Sequence, residues 1–318
     1  MASQHTFGWK RPAVDLRDAH FSSTQFRALA ELPPLIDMRD KFPGVFDQGQ
    51  IGDCVENASV ALRMYYEQEQ VEGSRLALYS WVRLMTGTPL SEDSGSSLRD
   101  GCKAMAKYGV CPESDFPDVA ANFSQVPSDK AVADAAPYRI ASYASVGNAA
   151  LAHASLANGD PVIIGLDLYE SFESDAVAKT GLVPLPQEGE QLAGGHALTI
   201  VGIDMSKKIG SSTGAFLVRN SWGPSWGCDE GHCWIPLDYF GPGWWGPTLC
   251  GEMWQITPSN PIPPAPPDPG PPTPTPPSPP PDPGPPTPPP DPTPPAPAGG
   301  FAAWLRGLWA AILAFFGG

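Results

Sequence analysis

Cys54, His196 and Asn220 are the residues of this chain whose types and settings suit nucleophilic catalysis. Gly49-Gln50-Ile51-Gly52-Asp53 is a tight, glycine-marked turn, and directly after it Val55, Ala58, Leu62, Tyr65 and Tyr66 recur at helical spacing. Cys54 is therefore expected at the N-terminus of a helix, where the dipole favours thiolate over thiol. A thiolate nucleophile needs a base from elsewhere in the chain. Gly194-Gly195 lead into His196, and the apolar run Ala197 to Gly202 behind it reads as a strand, whereas His5, His20 and His153 have no comparable setting. A further strand ends in Arg219-Asn220-Ser221-Trp222-Gly223. The asparagine carbonyl can accept the second ring N–H of a histidine and fix its tautomer and direction, with the Trp222 indole shielding that bond from water.

These groups need elements to hold them. Besides the helix after Cys54, helices are expected from Ser97 to Tyr108, stopped by Gly109, and over residues 131 to 136. A short one through 25–30 would be capped by Ser22-Ser23-Thr24 and stopped by Pro33-Pro34. Strands are expected at 161–168, after the turn Asn158-Gly159-Asp160, and at 197–202, 215–219 and 253–257. Helices come first and strands second, which indicates an α+β fold rather than alternating βαβ units.

Proline divides the chain. Of 41 prolines in 318 residues, 25 fall between Pro258 and Ala298. The division is an N-terminal segment 1–31, a globular domain 32–257, a proline-rich linker 258–298 and an apolar tail 299–318.

The formal charge of -15 and the absence of a Lys/Arg run argue against nucleic acid as a partner. The first 18 residues lack the apolar core of a secretory signal, and six cysteines in a chain this long do not make a disulfide scaffold. A cytoplasmic location is the expectation. Cys228 and Cys233 flank Asp229-Glu230-Gly231-His232, but without a second pair they make a poor tetrahedral zinc site. A structural role or a local disulfide suits them better, and Cys102, Cys111 and Cys250 read as structural thiols.

Taken together, Asp47-Gln48-Gly49-Gln50-Ile51-Gly52-Asp53-Cys54, Gly195-His196-Ala197 and Asn220-Ser221-Trp222-Gly223 resemble the signature blocks of papain-like cysteine peptidases, nearer the compact bacterial branch than the lysosomal enzymes. They stand in family order, with His196 lying 142 residues after Cys54, against a family interval of about 130–150. Leu32-Pro33 through Asp37-Met38-Arg39 resembles the opening of the family's mature domain, so the resemblance covers about residues 32 to 257.

The resemblance implies an N-terminal helical subdomain and a C-terminal antiparallel β-barrel-like subdomain with the active-site cleft between them. It implies a peptide or protein substrate and an acyl-enzyme on Cys54. Gln48 and the Cys54 backbone N–H would form the oxyanion hole, and Gly95, Gly195 and Trp222 would line the substrate site. No metal or organic cofactor is required. Ile51 stands where the family usually has a cysteine, so that disulfide cannot form; Asp53 replaces a serine, and its carboxylate is expected to face solvent. Family members are commonly blocked by a segment crossing the cleft, and Phe7-Gly8-Trp9 suits such a role. The competing functions are acyl transfer by the same thiol and an inert adaptor that keeps the fold.

In the tail, residues 266–274 recur identically at 280–288, a low-complexity polyproline II spacer. Residues 301–316 are apolar except for Arg306. As a helix they would span about 24 Å against a hydrocarbon core of about 30 Å. They are expected to contact a membrane or a partner protein.

Overall fold

The computed structural model describes residues 6–21, 32–67, 71–241 and 249–259. The chain divides into two compact units, Met1–Ala265 and Pro266–Gly318, and the described residues lie in the first. The expected helix at 25–30, the spacer beyond Ser259 and the apolar tail fall outside them. No helix among the described residues is long and apolar enough to cross a membrane.

The helical half is built around α1 (Cys54–Glu67), which is buried on nearly every face. The apolar stripe at 55, 58, 62, 65 and 66 accounts for one side. The other is occupied by α2 (Arg75–Thr86) and α3 (Leu98–Lys107). Each of these two starts on a serine cap: Ser74 Oγ accepts the Ala77 N–H at 3.0 Å, and Ser97 Oγ accepts that of Asp100 at 3.2 Å. α2 ends at Gly87, whose φ of 74° supplies the left-handed stop. The smaller helices are α4 (Asp129–Ala135), α5 (Ala149–Ala157) and α6 (Asp175–Thr180).

The second half is an antiparallel sheet made of β1 (Leu35–Asp37), β2 (Ile140–Ser145), β3 (Val162–Tyr169), β4 (Leu192–Ile209), β5 (Ser212–Arg219), β6 (His232–Pro236) and β7 (Cys250–Pro258). The order is β2-β7-β3-β4-β5-β6, with β1 pairing alongside β4. β3 is buried along most of its length between β7 and β4, consistent with its unbroken run Val162-Ile163-Ile164.

The α+β class and the helical-then-strand order hold, but the expected barrel-like closure does not. β2 and β6 end the path unpaired with each other, so the sheet is open. It is covered instead by helices, chiefly α1 lying on β4 and β3. That helix-on-sheet seam brings the start of α1 beside the middle of β4.

Candidate active site

Cys54 is the first residue of α1 and is fully buried. Its Sγ accepts the N–H of Ala197 at 3.4 Å, which ties it to the residue next to His196 across the helix-sheet seam. His196 lies in β4 opposite Leu166 of β3. Its Nε2 is 2.8 Å from Asn220 Oδ1, and the same oxygen accepts the Ser221 N–H at 2.8 Å. An oxygen that receives a backbone N–H can only accept, so Nε2 carries the proton, and Nδ1 is the basic nitrogen of the neutral ring. Trp222 packs on this pair, its ring centroid 5.0 Å from that of the imidazole. Cys54, His196, Asn220 and Trp222 thus form one buried cluster drawn from α1, β4 and the end of β5.

Gln48 is buried on the same side. Its Oε1 accepts Ser221 Oγ–H at 2.6 Å, which fixes the amide orientation. Nε2 then donates to the carbonyls of Ile51 at 2.9 Å and Thr6 at 3.0 Å.

The segment that contains Thr6 lies across these groups. Trp9 N–H donates to Gly195 O at 3.0 Å, Ser96 N–H to Gly8 O at 2.7 Å, and Lys10 N–H to Ser96 O at 2.8 Å. Trp9 and Ser96 are bridged as in a parallel ladder. Phe7 packs edge-on against His196 and Trp222, with centroids 6.0 and 6.1 Å away. At Gly8 the approach is so close that a Cβ would lie 1.8 Å from Gly52 O. A carbonyl therefore already sits on the Gln48 donor, and the backbone of residues 8–10 already pairs with Ser96 and Gly195.

Burial holds the Cys54 thiol up at about 12, against the smaller opposing pull of the Ala197 and Gly8 N–H groups, while Glu56 and Asp53 push it further up.

Asp53 corrects an expectation. It is fully buried rather than facing solvent, with Oδ1 accepting Asn57 Nδ2–H at 2.9 Å beneath the first turn of α1. Burial raises its pKa well above the ordinary value, and Asp118 and Glu56 add to this, which weakens its opposition to the thiolate. Glu56, also buried, is raised to about 8 by desolvation, and its Oε1 accepts Ser96 Oγ–H at 2.8 Å.

Gly195 meets the strap through its carbonyl. The Gly95 N–H is instead taken by Tyr79 Oη at 2.7 Å, and the neighbouring Ser96 presents both its N–H and its C=O to the strap. Tyr79 Oη–H in turn donates to Asp93 at 2.7 Å, and Asp93 accepts the Gly52 N–H at 2.9 Å, linking the two loops that wall the cleft. Ser96 and Asp93 were not evident from the sequence; each acts through contacts between residues far apart in the chain. Cys228 and Cys233 are free thiols on either side of the Cys228–His232 turn.

This arrangement is that of a papain-type cysteine protease. A family model described as papain family cysteine protease matches residues 32–238, and the chain belongs to that family. An uncharacterized peptidase C1-like protein of Acanthamoeba polyphaga mimivirus is 33% identical over 224 residues, which cover 66% of this chain and 68% of that one. Among solved structures, xylellain, a cysteine protease from Xylella fastidiosa, is 30% identical and superposes with a TM-score of 0.69, covering 80% of this chain and 97% of its own. A procathepsin B from Trypanosoma congolense, at 16% identity and a TM-score of 0.61, shares the fold.

Proposed function

We propose that the domain is a cysteine endopeptidase in which Cys54 is the nucleophile and His196 the general base and acid. The observation that carries this reading is the Nε2–H bond of His196 to Asn220, which makes Nδ1 the basic nitrogen of the ring. In the proposed reaction His196 Nδ1 takes the Cys54 proton, and Sγ bonds to the substrate carbonyl carbon. The resulting oxyanion is received by Gln48 Nε2–H, which now donates to the Thr6 carbonyl, and by the Cys54 backbone N–H. Collapse breaks the C–N bond as His196 returns its proton to the amine. Water, deprotonated by His196, then cleaves the thioester, releasing the acid and restoring the thiol.

The strap of residues 6–12 is proposed to hold this site closed. It covers the sulfur, fills the Gln48 donor position and pairs with both cleft edges.

The direct test is peptide hydrolysis by the protein with its strap displaced, compared with the same protein carrying Cys54→Ala. Products are scored with and without an added primary amine. Water-derived acid as the only product supports hydrolysis; amide products would move the assignment to acyl transfer, and equal rates with and without Cys54 would remove the thiol from the mechanism.

The proline-rich segment 258–298 is proposed as a spacer, with 301–316 contacting a membrane or a partner protein. Co-sedimentation of the full chain with anionic lipid vesicles, lost when residues 301–316 are removed, is the membrane result; equal sedimentation of both forms contradicts it.

A further inference from the structure

We infer that Asn57 is a positioning residue for the Cys54–His196 pair: through one buried water it holds the side-chain amide of Asn220, and with it the direction of the imidazole. This rests on the peptidase reading above and adds to it a residue, on the nucleophile's own helix, that acts through Asn220.

Asn57 lies one helical turn after Cys54 in α1, on the same face, and is buried. Its Nδ2–H donates to the Asp53 carbonyl at 3.0 Å and to Asp53 Oδ1 at 2.9 Å. A backbone carbonyl only accepts, so the amide orientation is fixed and Oδ1 is turned away from Asp53. Asn220 is fixed in the same way from its other edge. Its Oδ1 takes the His196 Nε2–H and the Ser221 N–H, each at 2.8 Å, which leaves Nδ2 as the outer donor. Neither Asn57 Oδ1 nor Asn220 Nδ2 has a hydrogen-bonding partner among the described residues, although both atoms are buried. One is an acceptor and the other a donor.

Both residues line one cavity of about 10 Å³ between α1, the middle of β4 and the end of β5, where Ala58, Leu198, Thr199 and Ser221 complete the wall. That is room for a single water molecule, and a buried water needs at least two polar partners. A water there accepts the Asn220 Nδ2–H and donates to Asn57 Oδ1. Thr199, whose hydroxyl reaches Ala58 O at 3.5 Å, stands in the same wall as a third partner. A buried donor or acceptor left unmet is costly, and the bridge satisfies both amides at once. The chain of contacts then runs from Asp53 through Asn57, the water and Asn220 to His196. With its far end removed, the Asn220 amide shifts toward another acceptor and the imidazole loses its direction. Asn57 also holds Asp53 at the helix start, and that contact supplies the competing, purely structural account. Loss of Asn57 would then act on Cys54 through the first turn of α1 and not through Asn220.

The test is a double-mutant cycle on the full chain. Asn57→Leu nearly keeps the shape of the side chain and removes the acceptor. In the Gly8→Ala background it should lower kcat about 10-fold with little change in KM, the effect of one hydrogen bond. Combined with Asn220→Ala it should cost nothing further, because the group it acts through is gone. A second readout needs no catalysis. Solvent exchange of the His196 Nε2 proton, followed by nitrogen-edited NMR with the strap closed, should be about 10-fold faster in Asn57→Leu. Asn57→Ser keeps a hydroxyl in a space that admits a second water, so it should recover most of both losses. Equal costs of Asn57→Leu with and without Asn220, or an unchanged exchange rate, overturns the inference. Where the variants misfold, the unaltered chain decides: the Asn220 Nδ2 protons should show magnetisation transfer to a long-lived water, and its absence overturns the inference too. Faster exchange in Asn57→Leu without any Cys54-dependent hydrolysis would sink the peptidase reading and leave the positioning role; hydrolysis with additive losses would do the reverse.

Discussion

Replacing Gly8 by alanine should open the cleft while leaving the domain intact. The added Cβ would sit 1.8 Å from Gly52 O and 2.3 Å from Gly52 C. Both are backbone atoms of the loop that starts α1, so no rotamer change relieves the clash. The closed strap, residues 6–12, is held by three backbone hydrogen bonds, the bonds of Thr6 with Gln48 and Gln50, the Trp9–Glu252 bond and the Arg11–Asp167 bond. At about 1 kcal/mol each, with about 4 kcal/mol for the buried indole, these contribute about 11 kcal/mol. Ordering seven residues costs about 8 kcal/mol, leaving a net preference for closure of about 3 kcal/mol. Only an open molecule exposes Cys54, which is otherwise fully buried. Removing that preference should therefore raise the rate of Cys54 alkylation by about 10²-fold, since about 1.4 kcal/mol is a factor of ten. The assay is epoxide labelling followed by intact mass over time. Gly44→Ala serves as control, because a Cβ there meets nothing within 4 Å. Equal labelling rates for wild type and Gly8→Ala, with both folded, would refute the idea that the strap blocks the site.

Other outcomes follow from the same geometry. Asn220→Ala in the Gly8→Ala background removes the acceptor of both His196 Nε2–H and Ser221 N–H, and kcat/KM should fall about 10²-fold; an unchanged value would show that the imidazole needs no such partner. Glu56 is raised by burial from 4.5 to about 8. Between those values the unfolded chain has lost this proton and the folded one keeps it, so the contribution of Glu56 to stability declines as pH rises through that window. Glu56→Gln removes the dependence, so its Tm relative to wild type should climb from pH 5 to pH 8; a constant difference in thermal melts would contradict the buried, neutral assignment.

The site was more legible in the sequence than the fold around it. Cys54, Gln48, His196 and Asn220 each sit in a short block whose local grammar, glycine turn before a helix or strand end before a tryptophan, marks its place. Phe7-Gly8-Trp9 was readable only as a candidate for crossing the cleft, on the strength of the family resemblance. Helix α2 was missed although Ser74 and Gly87 bracket it, since Arg75 and Arg83 interrupt its apolar face. Those arginines are buried by partners remote in sequence: Arg75 pairs with Glu72 and Asp118, and Arg83 donates to Leu90 O and Phe123 O. Asp53 was misplaced for a similar reason, because burial of a carboxylate depends on neighbours that the local sequence does not name. β4 was seen only at 197–202, since its polar ends alternate too little to register as strand.

Acid-quenched mass spectrometry of the Gly8→Ala protein, mixed briefly with a peptide ester, reads the nucleophile itself. The acyl mass should appear on the proteolytic fragment containing Cys54 and vanish with hydroxylamine or with His196→Ala. Acylation of Cys102, Cys111, Cys228, Cys233 or Cys250 instead, or steady ester hydrolysis with no acylated cysteine at all, would contradict catalysis by the Cys54–His196 pair.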